Sequence, residues 1–315
     1  MSNRLNGTHE GRDIDGMPDF ALRYAPHMGY LDPVPLFARS VGSSNPHAHA
    51  RFAAEQGFAG LFHPGIADRA PDEVALFKRG IEEFGLSAGT VLWAPAGDAL
   101  RPLWVSGRPE DRDLLLGFVD RSARFARDLG AETLAVLIMS NPDCGSADVQ
   151  AANACDNLGF AGDVAKRYGL VLGIEPMVAL PGMLLQSAYT TGEIIDKVDH
   201  PSVGLIFDTG HVSAMDGSVL DAHAALERMV CVYQLADMPG RTEPGSGDLD
   251  FPVFLSRLIG AGYRGLVELE HGWSEETAEG EAAGIRLLQR VDAEAVRLNA
   301  AQDRNHASDS HDIAQ

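Results

Sequence analysis

Eight short apolar runs punctuate the chain: "FALRYA" (20–25), "AGLFHP" (59–64), "SAGTVLWAP" (87–95), "TLAVLIM" (133–139), "VLGIEP" (171–176), "GLIFDT" (204–209), "CVYQLAD" (231–237) and "GLVELEH" (265–271). Most are continuous rather than alternating, the pattern of strands buried on both faces of a parallel sheet. Helical patterns fill the gaps. In residues 113–131, Leu115, Phe118, Val119, Ser122, Ala126 and Leu129 share one face, with Arg and Asp opposite. Residues 190–198 open with a capping box, Thr190 to Glu193. Five helical stretches stop at a glycine just ahead of the next strand, in "EQGFAG", "EFGLSAG", "DLGAET", "RYGLVLG" and "GAGYRG". Eight β-α units in about 280 residues predict an α/β fold, a single closed (β/α)8 TIM barrel. A doubly wound open sheet needs a glycine-rich turn after its first strand, and "RYAPHMGYLDP" is not one.

The barrel is expected over residues 17–301 of the 315, with polar segments 1–16 and 302–315 read as disordered ends. Net charge is −20, from 45 acidic against 25 basic residues. Such a surface repels phosphate backbones and anionic lipid, which argues against nucleic acid or membrane as partners. No apolar run reaches the roughly 18 residues of a membrane span, and the first residues lack the apolar segment of a secretory signal. A soluble, cytoplasmic protein is expected, with a homo-oligomer left open. Cys144, Cys155 and Cys231 show no CxxC spacing, which argues against a thiolate zinc site or a disulfide framework.

Functional side chains of such barrels sit at the C-terminal strand ends. The last four runs each carry a potential metal ligand there: Glu175, Asp208, Gln234 and Glu270. A polar side chain ending an apolar run is costly if buried without a partner, and a shared cation supplies one. Three carboxylates and an amide oxygen are hard ligands that suit one divalent cation, Mg²⁺ or Mn²⁺. Any one of the four alone is more often a cap or an ion-pair partner; four on consecutive strands make the case together. His211, three residues after Asp208, is placed to hydrogen-bond a substrate oxygen. Arg241 offers a fork of donors for a carboxylate or for developing negative charge. A loop-shaping salt bridge to Glu243 or Asp237 is an equal reading of it. Glu243 reads as structural, and His63 in "GLFHPG" is a candidate for the opposite wall, although a core histidine is the plainer reading.

"LWAPAGD", "LGIEPM", "LPGMLL", "GLIFDTGH", "VYQLADMPGRTEPGSGDLDF" and "GYRGLVELEHGW" resemble, in this order, the hydroxypyruvate isomerases and their relatives in the xylose isomerase-like TIM barrel superfamily. The resemblance runs from about Phe20 to Trp273. It implies metal positions at Glu175, Asp208, Gln234 and Glu270, acid/base roles for Glu175 and Glu270, and substrate contacts from His211 and Arg241. Four stretches depart from the family pattern: "IEPMVALPG" lacks an Asn, the loop after the first strand is long and proline-rich, the second run ends in "FHPG", and Thr209-Gly210 replaces a bulkier pair. All lie near the mouth and bear on the substrate.

The implied reaction is isomerisation of a small hydroxy-ketone or keto-sugar through an enediolate, with the cation holding a carbonyl and its neighbouring hydroxyl. The alternatives are a ketose 3-epimerase and a metal-dependent lyase or dehydratase acting on a keto-sugar or keto-cyclitol. An endonuclease, and a sugar-binding subunit without turnover, complete the range.

Overall fold

The computed structural model describes residues 20–29, 34–177 and 180–312. Segment 1–16 lies outside them, as do short parts of the loops after the first strand and after Glu175. Among the described residues the chain forms strands β1 Arg23–Pro26, β2 Gly60–Leu61, β3 Ser87–Ala88, β4 Val91–Leu92, β5 Thr133–Val136, β6 Val171–Ile174, β7 Val203–Asp208, β8 Val230–Leu235 and β9 Leu266–Leu269. Every ladder is parallel. Seven strands run in the order β1-β9-β8-β7-β6-β5-β4, and β2 pairs with β3. Backbone bonds join the two sheets. The Ala59 N–H donates to the Tyr24 carbonyl (2.9 Å), Phe62 to Pro26 (3.0 Å) and Met28 to Phe62 (2.7 Å), while Leu92 donates to Pro64 (2.9 Å). The result is the closed barrel that the spacing of apolar runs predicts.

The third run, residues 87–95, is not one strand. It breaks at Gly89-Thr90, so that Ser87–Ala88 pairs with β2 and Val91–Leu92 with β5. The cause is a side chain: the Thr90 N–H donates to Glu268 Oε1 at 2.6 Å instead of to a neighbouring strand.

The helices pack outside. The helix Pro109–Leu129 buries Leu115, Phe118, Val119, Ser122, Ala126 and Leu129, the face read from its periodicity. The five helix-stopping glycines, Gly57, Gly85, Gly130, Gly169 and Gly262, all have φ between +67° and +83°. That backbone region is open to glycine at little cost. The helix Ala188–Val198 starts earlier than the Thr190 box predicts: Ser187 is its N-cap and Thr190 lies in its first turn. Ser187 takes that place because Asp216 accepts both its hydroxyl (2.7 Å) and the Ala188 N–H (2.8 Å), a partner distant in sequence. The last helix runs Ala278–Asp312, continuing into the segment that composition sets apart from residue 302 onward. Its Asp292 binds the start of the chain to its end, accepting from Ala21 N (2.7 Å) and the Tyr24 hydroxyl (2.8 Å). No described helix is long and apolar enough to cross a membrane.

Two apolar layers result. The large one lies between strands and helices. A second, small cluster of Ala135, Ile206 and Val232, with Leu92 and Cys231 against it, fills the barrel itself. Gly173 makes room for it, since a Cβ there would lie 2.6 Å from Ile206 Cγ1. Side chains alternate along a strand, so inward-facing Gly173, Ile206 and Val232 are followed two residues later by Glu175, Asp208 and Gln234. The polar side chains therefore stand on an apolar floor, one layer nearer the C-terminal mouth.

Candidate active site

Glu175 directly follows β6, Asp208 ends β7, Gln234 lies in β8 and Glu270 directly follows β9. Each is at least nine-tenths buried. The strand ladder carries both glutamates into place: the Glu175 N–H donates to the Val136 carbonyl and that of Glu270 to Leu235, each at 3.1 Å. Asp208 and Gln234 are side by side in register. Ligand atoms of Glu175, Asp208, His211 and Glu270 all lie within 4.8 Å of one another, a group able to hold a metal ion. His211 joins because Asp208 caps the helix Thr209–Asp216, its Oδ1 accepting from the His211 N–H at 2.7 Å. That turn sets His211 Nε2 3.8 Å from Glu175 Oε1.

Arg241 reaches the cluster rather than its own loop. Its guanidinium donates to both oxygens of Asp208, at 3.1 and 3.0 Å, and to Glu270 Oε1 at 3.1 Å. Salt bridges to Asp237 or Glu243, the other reading of the sequence, are not formed, and those acids have other partners. Asp237 accepts backbone N–H groups of Met238, Gly245, Gly247 and Leu249, which folds the loop around it. Glu243 accepts from the backbone (2.9 Å) and hydroxyl (2.5 Å) of Ser274, tying the loop to the one after β9. Arg241 itself has φ +49°, a strained conformation for a residue with a side chain. Gly210 provides the space, for a Cβ there would lie 2.7 Å from Arg241 Nη1. Gly210 thus leaves room for this guanidinium.

His63 stands apart from the cluster. Its ring packs edge-on against Phe77 of the helix Pro71–Phe84, at 5.9 Å between centroids, and its buried Nδ1 has no hydrogen-bond partner. Two residues near the cluster escaped the sequence reading. His27 accepts from the Gly29 N–H through Nδ1 (3.0 Å), so its Nε2 donates to the His271 carbonyl (3.0 Å). Glu268, two residues before Glu270, is 1% exposed and accepts from Gln234 Nε2 at 3.0 Å. The period-2 spacing of "ELE" is the signal that would have found it.

Burial dominates the electrostatics. It pushes Glu175 up to about 8, with Asp208 adding and Arg241 opposing. Burial, then repulsion from Glu175, drives Glu270 well above the usual carboxylate range. Burial lifts Glu268 to about 7 against hydrogen bonds from Thr90 and Gln234. For Asp208 burial also acts upward, but the Arg241 and His211 charges and their hydrogen bonds outweigh it and hold the group low. His211 is lowered, by burial first and then by Arg241, against the pull of Asp208.

These shifts set a stability slope. The raised folded values of Glu175 and Glu268, about 8 and 7, mean the folded chain keeps protons that the unfolded chain has released by about pH 5. Their contribution is complete below that pH and is lost as pH rises through 7 to 8. His27, His63 and His271, lowered by burial to about 3, 4 and 4, act oppositely, but their effect is complete above the ordinary value near 6.5. In chelator, the denaturant midpoint should therefore fall between about pH 7 and 8.5. A flat or rising midpoint there would contradict the raised carboxylates.

Known proteins bear on this geometry. A family model described as xylose isomerase-like TIM barrel matches residues 50–291. The chain is 27% identical over 194 residues to a 2-oxo-tetronate isomerase of Haemophilus influenzae, covering 59% of this chain and 73% of that one. It is 26% identical over 202 residues to a hydroxypyruvate isomerase of Escherichia coli, covering 62% and 75%. Its fold is similar to the solved structure of an AP endonuclease, family 2, from Brucella melitensis, with TM-score 0.69, 23% identity, and coverage of 83% and 97%.

Proposed function

This chain belongs to the xylose isomerase-like TIM barrel family, and we propose that it is a divalent-metal-dependent isomerase of a small hydroxy-ketone or keto-sugar. One observation carries the reading: Glu175, Asp208 and Glu270, three buried carboxylates from different strands, converge with His211 within 4.8 Å. The names of the isomerase relatives support the reaction class.

The residues fit a resident cation. Glu175 Oε1 and Gln234 Oε1 are buried acceptors without a donor. A buried acceptor left without a donor is unfavourable, and a cation relieves it. Glu175, Asp208, Gln234 and Glu270 would hold it, and four oxygen donors suit Mg²⁺ or Mn²⁺. When bound, such an ion stabilises negative charge that develops on substrate oxygens.

The protein's own groups account for the proton movements. One of Glu175 and Glu270 takes the proton from the carbon beside the substrate carbonyl. The C–H pair becomes the C=C bond of an enediolate, and the carbonyl π pair moves to oxygen. Proton return to the former carbonyl carbon, with the hydroxyl proton of the first carbon passing to the other oxygen, gives the isomer. Return to the opposite face of the first carbon gives the epimer. Arg241 and His211 are the donors for substrate oxygens, and the Arg241 fork suits the charge that appears there. A net charge of −20 disfavours a phosphodiester backbone as substrate.

The test is proton–deuterium exchange in D₂O with Mn²⁺ or Mg²⁺, over a panel of small hydroxy-ketones and keto-sugars. Deuterium should enter at the carbon beside the carbonyl, in a product whose mass is otherwise unchanged. Loss of the mass of water would transfer the protein to the dehydratases. No exchange with any member of the panel would count against enediolate chemistry altogether.

A further inference from the structure

We propose that Glu268 is a positioning residue that dictates which end of the Gln234 amide faces the carboxylate cluster, an inference that rests on the metal reading above. Glu268 and Gln234 are partners in register across β9 and β8. One carboxylate oxygen, Oε1, accepts from the Thr90 backbone N–H at 2.6 Å. The other, Oε2, accepts from Gln234 Nε2 at 3.0 Å. Both oxygens accept from N–H groups, as an ionised carboxylate does, and such a group can face only the NH₂ end of an amide. Gln234 must then turn its oxygen away from Glu268, and that oxygen is the buried atom without a donor. Glu268 is not one of the groups whose ligand atoms converge within 4.8 Å.

The fold makes a seat for this carboxylate. The break between β3 and β4 falls at Gly89-Thr90 and frees the Thr90 N–H for it. A Cβ on Gly89 would lie 2.7 Å from Glu268 Oε1 and 3.0 Å from Phe62 Cα. Simple filling of the barrel would be better served by an apolar side chain, since a buried carboxylate is expensive. What the carboxylate adds is direction, the part that groups bonded to metal ligands play elsewhere.

The direction can be reversed with an isostere. In Glu268→Gln, the fixed Thr90 N–H claims the new amide's oxygen, so its NH₂ faces Gln234. Gln234 then turns its own oxygen toward residue 268 and its NH₂ toward the cluster. Mn²⁺ binding, read by electron paramagnetic resonance titration, should weaken about 10–100-fold, while the metal-free melting temperature stays close to that of the unaltered protein. The swapped pair Glu268→Gln/Gln234→Glu restores an oxygen on each side of the contact and should bind Mn²⁺ at least as well as the unaltered protein. Unchanged affinity in Glu268→Gln overturns the proposal. So does failure of the swapped pair to bind, which also decides the matter if the single variant folds poorly. Unaltered protein that binds no Mn²⁺ would instead remove the metal reading, and this proposal with it.

Discussion

Glu270→Gln is expected to lower turnover by about 10²–10⁴-fold at saturating Mn²⁺, the range by which a positioned acid/base residue accelerates a reaction. The substitution is isosteric and keeps an oxygen for the Arg241 hydrogen bond, which is 3.1 Å in the unaltered protein. It removes the ability to take up and return a proton together with one negative charge beside Arg241, and saturating Mn²⁺ offsets the weaker hold on the cation. Glu175→Gln should fall by a similar factor, because its carboxyl sits in the same buried group. The two act as a unit, so the double variant should be little worse than either single one. The decisive measurement is deuterium wash-in beside turnover. Both must drop together if the lost step is carbon-proton transfer. Near-normal turnover from either variant would remove that residue as acid/base.

Exhaustive chelation should abolish turnover while leaving the barrel folded, and Mn²⁺ or Mg²⁺ should restore it. Survival of the fold follows from Arg241, which already neutralises part of the cluster by bonding to Asp208 and Glu270. Without a cation the site still holds an internal positive charge, so the carboxylates do not face one another unopposed. Circular dichroism and activity on the same chelated sample separate folding from function. Full activity in a sample shown by elemental analysis to be free of metal would sink the metal proposal.

Much of this site was legible in the chain because Glu175, Asp208 and Glu270 each close an apolar run and Gln234 interrupts one. "GLIFD" and "LGIE" need no partner to be read: a carboxylate after three or four buried residues emerges at a strand end. The strand-helix alternation and the glycine stops were equally readable, since both depend on local backbone preference. The continuity of the third run misled, because nothing in "SAGTVLWAP" reveals that a carboxylate 178 residues away takes the Thr90 N–H. The capping of the helix at 188 misled for the same reason, its start being fixed by Asp216. Arg241 shows the limit most clearly. Its sequence neighbours Asp237 and Glu243 are the obvious partners, yet both are consumed by backbone and serine donors, and the guanidinium goes to Asp208 and Glu270 instead.

The sequence by itself determined the kind of fold and the strand-end positions of the candidate ligands. Burial of continuous apolar runs and helix-stopping glycines are local properties, and they act before any distant contact forms. Only the tertiary structure decided who partners whom. Strand pairing brings β9 beside β8 and sets Glu268 against Gln234, and the packing of the loops places Gly210 where Arg241 needs room. Those contacts join residues from separate strands and loops, and a hydrogen bond or an ion pair has no strength until the fold has brought its partners within reach.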